Sequence, residues 1–277
     1  MIRGNPHVPT LDDRAIAEYA AFACHLGEIG GRTILPYFRS RIAVENKAAS
    51  QGYDPVTVAD RAAESAIRDE IRRVYPDHAI HGEEHGFAAG SSGLTWIIDP
   101  IDGTRAFIIG QLHWGVLVAL NDGTRPVIGV MHQPYTGETF VGSRLGAELR
   151  RSGLSNSLRV RECWRLEDAI VCATDPAMFS GPGEREAFRQ LASKARMRRY
   201  GGDCYSYCLL AAGFIDLVIE SGLQPYDIQP LVPIIEAAGG IVTSWSGGSP
   251  YDGGQIIAAG DRELHKVALT MLAPAAR

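Results

Sequence analysis

Trp96-Ile97-Ile98-Asp99-Pro100-Ile101-Asp102-Gly103-Thr104 is the stretch on which the reading of this chain turns. Trp96-Ile97-Ile98 is short, apolar and β-prone, and Pro100, with no N–H for a ladder, predicts that the strand stops there. Asp102-Gly103 then predicts a turn. A strand running into a turn can present both carboxylates to one crevice at the edge of a sheet. Ionised carboxylates a few ångströms apart repel each other, so they call for a cation, and their hard oxygens suit Mg2+ or Mn2+ rather than zinc. Gly103-Thr104 could open a helix whose free N–H groups cradle a phosphate. In isolation, the same residues read more simply as a turn with Asp99 as a cap.

Three further acids bear on that choice. Glu83 lies in the Gly-flanked loop Gly82-Glu83-Glu84, shortly before the strand. Asp227 precedes a helix expected from Ile228, where a carboxylate commonly serves as an N-cap. Thr57-x-x-Asp60 has the pattern of a capping box, and an acid in a first turn suits the helix dipole. The functional alternative for Asp60 is to hold Thr104, so that its hydroxyl orients an attacking water. His78, His81 and His85 gather near Glu83, but their spacing matches no zinc pattern, and they read as loop residues.

Outward from this centre, the first part of the chain predicts helices followed by a sheet that is mainly antiparallel. Apolar residues at helical spacing run from Leu11 to about Arg39, with Thr10 as cap and Gly30-Gly31 as a weak point. A second helix opens at Thr57-Val58-Ala59-Asp60 and ends at Pro76. Val116–Leu120 and Val127–Val130 flank the turn signal Asn121-Asp122-Gly123, a hairpin that Thr139-Phe140-Val141 extends. The second part alternates. Strands are expected at Ile170–Ala173, Ile215–Ile219, Ile241–Thr243 and Ile256–Ala259. Helices are expected at Glu184–Ala195, Tyr205–Ala212 and Ile228–Ala238, with a last one from Arg262. Such alternation predicts a sheet covered by helices. With no internal repeat or long linker, residues 1–277 are expected to form one domain with two lobes, roughly 1–150 and 151–277.

A chain of 277 residues with 45% hydrophobic residues can bury a sizeable core, and a net charge of −5 gives no nucleic-acid footprint. The basic clusters around Arg144, Arg150 and Arg151, and around Arg196, Arg198 and Arg199, read as solvated faces. No apolar run reaches the ~18 residues of a membrane span, and Met1–Pro6 lacks a secretory h-region. Cys24, Cys163, Cys172, Cys204 and Cys208 form no C-x-x-C pair, and burial as small hydrophobes is the expectation for Cys204 and Cys208. A reduced, cytoplasmic setting follows.

Taken in order, Gly82-Glu83-Glu84, Trp96 to Thr104, and Tyr226-Asp227 ahead of Ala237-Ala238-Gly239-Gly240 resemble the inositol monophosphatase superfamily. The resemblance runs from about Asp60 to Gly240 and more loosely over the whole chain. It implies a layered α/β/α/β/α fold, a homodimer, and Mg2+-dependent hydrolysis of a small-molecule phosphate monoester by a metal-activated water. Two or three Mg2+ would bind per active site, with Mn2+ as a substitute. By resemblance, Glu83, Asp99 and the carbonyl of Ile101 would bind one metal, and Asp99, Asp102 and Asp227 a second. Thr104 with Asp60, or Glu83 with Thr104, would position the water. Gly103 and Thr104 would hold the phosphate, and Lys47 would lie near it.

Arg198-Arg199-Tyr200-Gly201-Gly202-Asp203-Cys204-Tyr205, Pro225-Tyr226-Asp227 and Thr104-Arg105-Ala106-Phe107 look like the histidinol-phosphate phosphatase branch of that superfamily. Histidinol phosphate carries an ammonium group and an imidazole. Asp203 and Glu220, beside Asp102 and Asp227, would suit such a cation better than a polyol. Asp203 reads equally as the N-cap of a helix starting near Cys204, and Tyr205 and Tyr207 read as packing residues. The alternatives are an inositol 1-phosphatase, a broader sugar or nucleotide phosphatase, and a non-catalytic phosphate-binding regulator that has kept the fold.

Overall fold

The computed structural model describes residues 11–41, 43–46 and 55–277. Helix α1 (Asp13–Ile34) is capped by Asp12, whose Oδ1 accepts from Ala15 N at 2.8 Å. The expected cap, Thr10, lies outside the described residues. The helix stops short of Arg39 because Pro36, in the 3-10 turn Leu35–Tyr37, cannot continue an α-helical ladder. Gly30 and Gly31 are not the weak point their composition suggests. A Cβ on Gly30 would stand 3.0 Å from Ile67 Cδ1 and from Val116 Cγ1, and one on Gly31 would stand 2.7 Å from Pro134 Cβ. The two glycines let α1 press closely against its neighbours. Helix α2 (Val58–Val74) begins at the expected capping box, Thr57 and Asp60.

A short ribbon, β1 (Val44–Asn46) with β2 (Pro55–Thr57), precedes α2. The chain then builds an eight-stranded sheet in the order β10-β9-β8-β7-β6-β5-β3-β4. Its strands are β3 (Ala79–Gly82), β4 (Gly86–Ala88), β5 (Thr95–Asp102), β6 (Gly115–Asn121), β7 (Pro126–Gln133), β8 (Glu138–Ser143), β9 (Gly146–Arg151) and β10 (Leu154–Ser157). Only the β3–β5 pairing is parallel. Helix α3 (Thr104–Ile108) follows β5 directly.

A second, five-stranded sheet has the order β12-β11-β13-β15-β14. Its strands are β11 (Ile170–Ala173), β12 (Met197–Tyr200), β13 (Leu217–Leu223), β14 (Ile241–Ser244) and β15 (Gly254–Ala259). Between them run α4 (Pro182–Lys194), α5 (Asp203–Ala211), α6 (Pro225–Ile228) and α7 (Leu231–Ala237), and α8 (Arg262–Leu272) closes the chain. The helix expected over Ile228–Ala238 is therefore two. Asp227 is not the cap of one starting at Ile228, because Pro225 already opens α6 at its first position, where a missing N–H costs nothing.

Strand alternation sorts the core into three sheets of side chains. Val116, Val118 and Leu120 face α1 and α2, whereas Leu117, Met131 and Phe140 face a middle layer containing α5 and α7. From the other side, Val218, Ile256 and Ala258 enter that same middle layer, and Leu217, Ile219 and Ile257 turn outward to α4 and α8. The result is the layer order α/β/α/β/α that the family resemblance implies. Cys204 and Cys208 lie in the middle core, and all five cysteines are buried and unbridged. Among the described residues, no helix is long and apolar enough to cross a membrane.

Candidate active site

Strand β5 does not stop at Pro100. Asp99 sits opposite Leu117 and Asp102 opposite Gly115, so three steps along β5 match two along β6. Pro100 and Ile101 occupy this bulge, where the proline's lack of an N–H leaves no ladder bond unmade. Asp99 Oδ1 accepts from Ile101 N at 3.0 Å, and Asp102 Oδ2 accepts from Cys204 N at 2.7 Å. Gly103 follows at φ 81°, and a Cβ there would meet the carbonyl oxygen of His113 at 2.5 Å. Only glycine satisfies both demands.

Elements from both halves of the chain meet at this bulge. One carboxylate oxygen each from Asp99, Asp102 and Asp227 lie within 4.8 Å of one another. Asp227 comes from the first turn of α6, where its Oδ2 accepts from Gln224 N at 2.7 Å. Glu83 is tied to β5 by its own N–H, 3.2 Å from the oxygen of Ile98, and its carboxyl is hydrogen-bonded to that of Asp99. Asp99 is 2% exposed. Burial raises its pKa well above the carboxylate range, and Glu83, Asp102 and Asp227 add to the rise. Asp227 is raised by burial and then by Asp102, and Asp102 by burial. A divalent cation among these oxygens would reverse the balance, and an all-oxygen donor set is what Mg2+ and Mn2+ take.

Asp203 and Glu220 reach the same place. With Asp102 and Asp227 they line a cavity of about 80 Å3, walled by Tyr207, Met178 and Leu223. Asp203 is not an N-cap: Gly202 takes that position, and Asp203 is the first helical residue, at a left-handed φ of 43°. Glu220 is buried and accepts from Thr174 N at 2.9 Å and from Tyr207 Oη at 3.0 Å. Burial, then Asp102 and Glu220, push Asp203 up to about 8, against the pull of Arg105. Burial pushes Glu220 up to about 7.

The structure gives Asp60 and Thr104 separate partners. Asp60 Oδ2 accepts from Thr57 N at 2.9 Å and from Thr57 Oγ1 at 2.6 Å, while Thr104 Oγ1 donates to the oxygen of Ile101 at 2.9 Å. Lys47 lies outside the described residues. The histidines near Glu83 have structural partners: His78 Nδ1 accepts from Trp96 Nε1 at 3.0 Å, and His85 Nε2 lies 3.1 Å from Ser65 Oγ. Tyr205 bonds to Glu138 rather than facing the cavity.

A model of the inositol monophosphatase family matches residues 15–276. The chain belongs to that family. Its members are metal-dependent phosphatases that act on small phosphate monoesters. The Arabidopsis thaliana protein named bifunctional phosphatase IMPL2, chloroplastic, is 38% identical over 273 residues, which cover 95% of this chain and 77% of that one. A protein of Chlorobaculum parvum named histidinol-phosphatase is 34% identical over 239 residues, covering 86% of this chain and 90% of that one. A solved structure described as an inositol monophosphatase from Zymomonas mobilis superposes with a TM-score of 0.82 at 38% identity, over 93% of this chain and 98% of that one.

In this family member, sequence reasoning missed Thr174 and Tyr207 as the partners of Glu220, and Glu64 behind the Glu83 loop. A glutamate four residues before an arginine is the ordinary signature of a solvated helix face, and nothing in Glu64-x-x-x-Arg68 signals burial. The acidic cavity has a measurable consequence. Acids whose folded pKa is raised support folding below their unfolded pKa and cease to do so as pH rises through the folded value. For Glu220 and Asp203 that window runs from about 4 to about 7 and 8. In EDTA, the melting temperature should fall from pH 5 to pH 8.5, and the double change Asp203→Asn, Glu220→Gln should flatten the fall. An unchanged slope in that variant would contradict it.

Proposed function

We propose that this chain hydrolyses L-histidinol phosphate to L-histidinol and inorganic phosphate, with Mg2+ or Mn2+ bound at Asp99, Asp102, Asp227, Glu83 and the carbonyl of Ile101. The observation that carries the substrate is the sharing of one cavity by Asp203 and Glu220 with Asp102 and Asp227. A polyol would be met by mixed donors and acceptors, whereas Asp203 and Glu220, the two acids of this cavity not assigned to the metal, favour a substrate that brings positive charge. The relative named histidinol-phosphatase supports the same choice.

Divalent cations held by these oxygens would supply positive charge to offset that of the phosphate and Lewis acidity to the attacking water. The chain's own residues supply orientation. Gly103 and Thr104, in the turn after Asp102, are the proposed donors to the phosphate. Thr104 Oγ1 donates its hydrogen bond to the oxygen of Ile101, so its lone pairs are left to accept from the attacking water, with Glu83 as the second group on that water. Asp60 acts from behind, by fixing the start of α2. No side-chain nucleophile is needed.

Phosphate release from histidinol phosphate, inositol 1-phosphate, fructose 1,6-bisphosphate and adenosine 3′,5′-bisphosphate tests the assignment. Histidinol phosphate should give the highest kcat/KM, and a preference for either bisphosphate would sink the proposal. Activity that survives EDTA would sink the metal chemistry. Asp203→Asn and Glu220→Gln should each raise KM for histidinol phosphate by about tenfold, with kcat close to the parent. The second reading, inositol 1-phosphate, is favoured by the description of the Zymomonas mobilis structure. It predicts that those two variants leave the preferred substrate's KM unchanged.

A further inference from the structure

Behind the Glu83 loop lies a buried ion pair on α2. Glu64 is fully buried, and its Oε1 accepts from Arg68 Nε at 2.6 Å; the Arg68 side chain is 4% exposed. Neither charge is spent on the other alone. Glu64 Oε2 accepts from Glu84 N at 2.6 Å, Glu64 Oε1 also accepts from His85 N at 3.2 Å, and Arg68 Nη2 donates to the oxygen of Gly86. The residue before Glu83 is shaped to admit this contact, since a Cβ on Gly82 would lie 2.0 Å from Glu64 Oε1. His85 adds a side-chain bond to Ser65, one position along the same helix.

A buried ion pair is a poor device for stability, because desolvation offsets most of its attraction and apolar pairs of similar volume replace it at little cost. What this pair does that an apolar pair cannot is bind three consecutive backbone groups, those of residues 84, 85 and 86. Glu83 is thereby fixed on both sides: its own N–H is held by Ile98, and the three residues after it are held by α2. We propose that Glu64 and Arg68 are positioning residues that clasp the Gly82–Gly86 turn and hold the Glu83 carboxylate in register with Asp99 for cation binding. The proposal rests on the reading of Glu83 as a cation ligand.

The test is calorimetric titration of the metal-free full chain with Mn2+, alongside thermal melts in EDTA. Glu64→Gln keeps the shape but loses the acceptor for Glu84 N, and should weaken Mn2+ binding by about tenfold or more. Turnover in that variant should return to within about threefold of the parent once Mn2+ is saturating. The double change Glu64→Leu, Arg68→Met removes both charges and leaves the three backbone groups without these partners; it should melt below the parent and bind Mn2+ as weakly as Glu64→Gln. Parent-like affinity in either variant, with Glu83→Gln weakened, would overturn the clasp and leave the metal site standing. Parent-like affinity in Glu83→Gln would overturn the metal reading and the clasp with it.

Discussion

Asp99→Asn should abolish turnover by about a thousandfold or more, while the metal-free protein melts at or above the temperature of its parent. Both effects come from one environment. Asp99 is buried among Glu83, Asp102 and Asp227, and burial together with these acids disfavours its ionised form when no cation is present. An asparagine oxygen can still accept from Ile101 N, as Asp99 Oδ1 does at 3.0 Å, and its amide can donate to Glu83. The raised folded pKa means that Asp99 opposes folding as pH rises, and the neutral amide removes that dependence. Once Mg2+ is added the ranking should reverse, because the parent gains stability from the ion by mass action and the variant does not. Melting curves at pH 8 in EDTA and in excess Mg2+, with kcat for the best substrate, check both halves. Unaltered kinetics would mean that the reaction centre lies elsewhere.

Gly129→Ala should be the most damaging small change away from the acids. Gly129 lies in β7, and a Cβ there would stand 1.9 Å from the carbonyl oxygen of Pro230 and 2.8 Å from its carbonyl carbon. Backbone cannot yield as a side-chain end can, so the linker between α6 and α7 must move away from the sheet. A loss of about 3 kcal/mol or more is expected, which for a chain of this size lowers the melting temperature by roughly 5–10 °C. Asp227 sits three residues before Pro230, so the variant should also gain less stability from Mg2+. Gly183→Ala, where the nearest atom to the new Cβ is Ala275 Cβ at 3.8 Å, should be close to neutral. Equal melting temperatures for the two variants would refute the packing argument.

Much of the fold was legible because turns and central strands announce themselves. Asn121-Asp122-Gly123 marked the β6–β7 hairpin, and the strand at Ile170–Ala173 has the bounds its apolar run suggests. Edge strands with no buried residue were not legible, although the edge strand β14, with Val242 buried, was. β10 is Leu-Ser-Asn-Ser and β12 is Met-Arg-Arg-Tyr, all exposed, and a strand with no buried face carries no alternation to read. The arginines of β12, taken as a solvated basic face, are indeed exposed, but they form a strand. At the site, the acids could be named from motif and resemblance, whereas their supports could not. Glu220 is held by Thr174 and Tyr207, which are 46 and 13 residues away in sequence. The cap reading weighed for Asp203 beside a substrate role fails by one residue, since Gly202 takes that position and Asp203 is the first residue of α5.

The bulge in β5 bears on how such a site can be made at all. Side chains along a pleated strand point up and down in turn, so two residues three apart belong to opposite sides of a flat sheet. Asp99 and Asp102 would then be strangers, one carboxylate in the α1–α2 layer and the other in the middle layer. The surplus residue changes an odd count to an even one and puts both on the same side. The Asp-Pro-Ile-Asp spacing therefore has meaning only on a strand that miscounts by one. Grafting these four residues onto a regular strand would separate the acids, and a designer would have to transplant the irregularity before the motif.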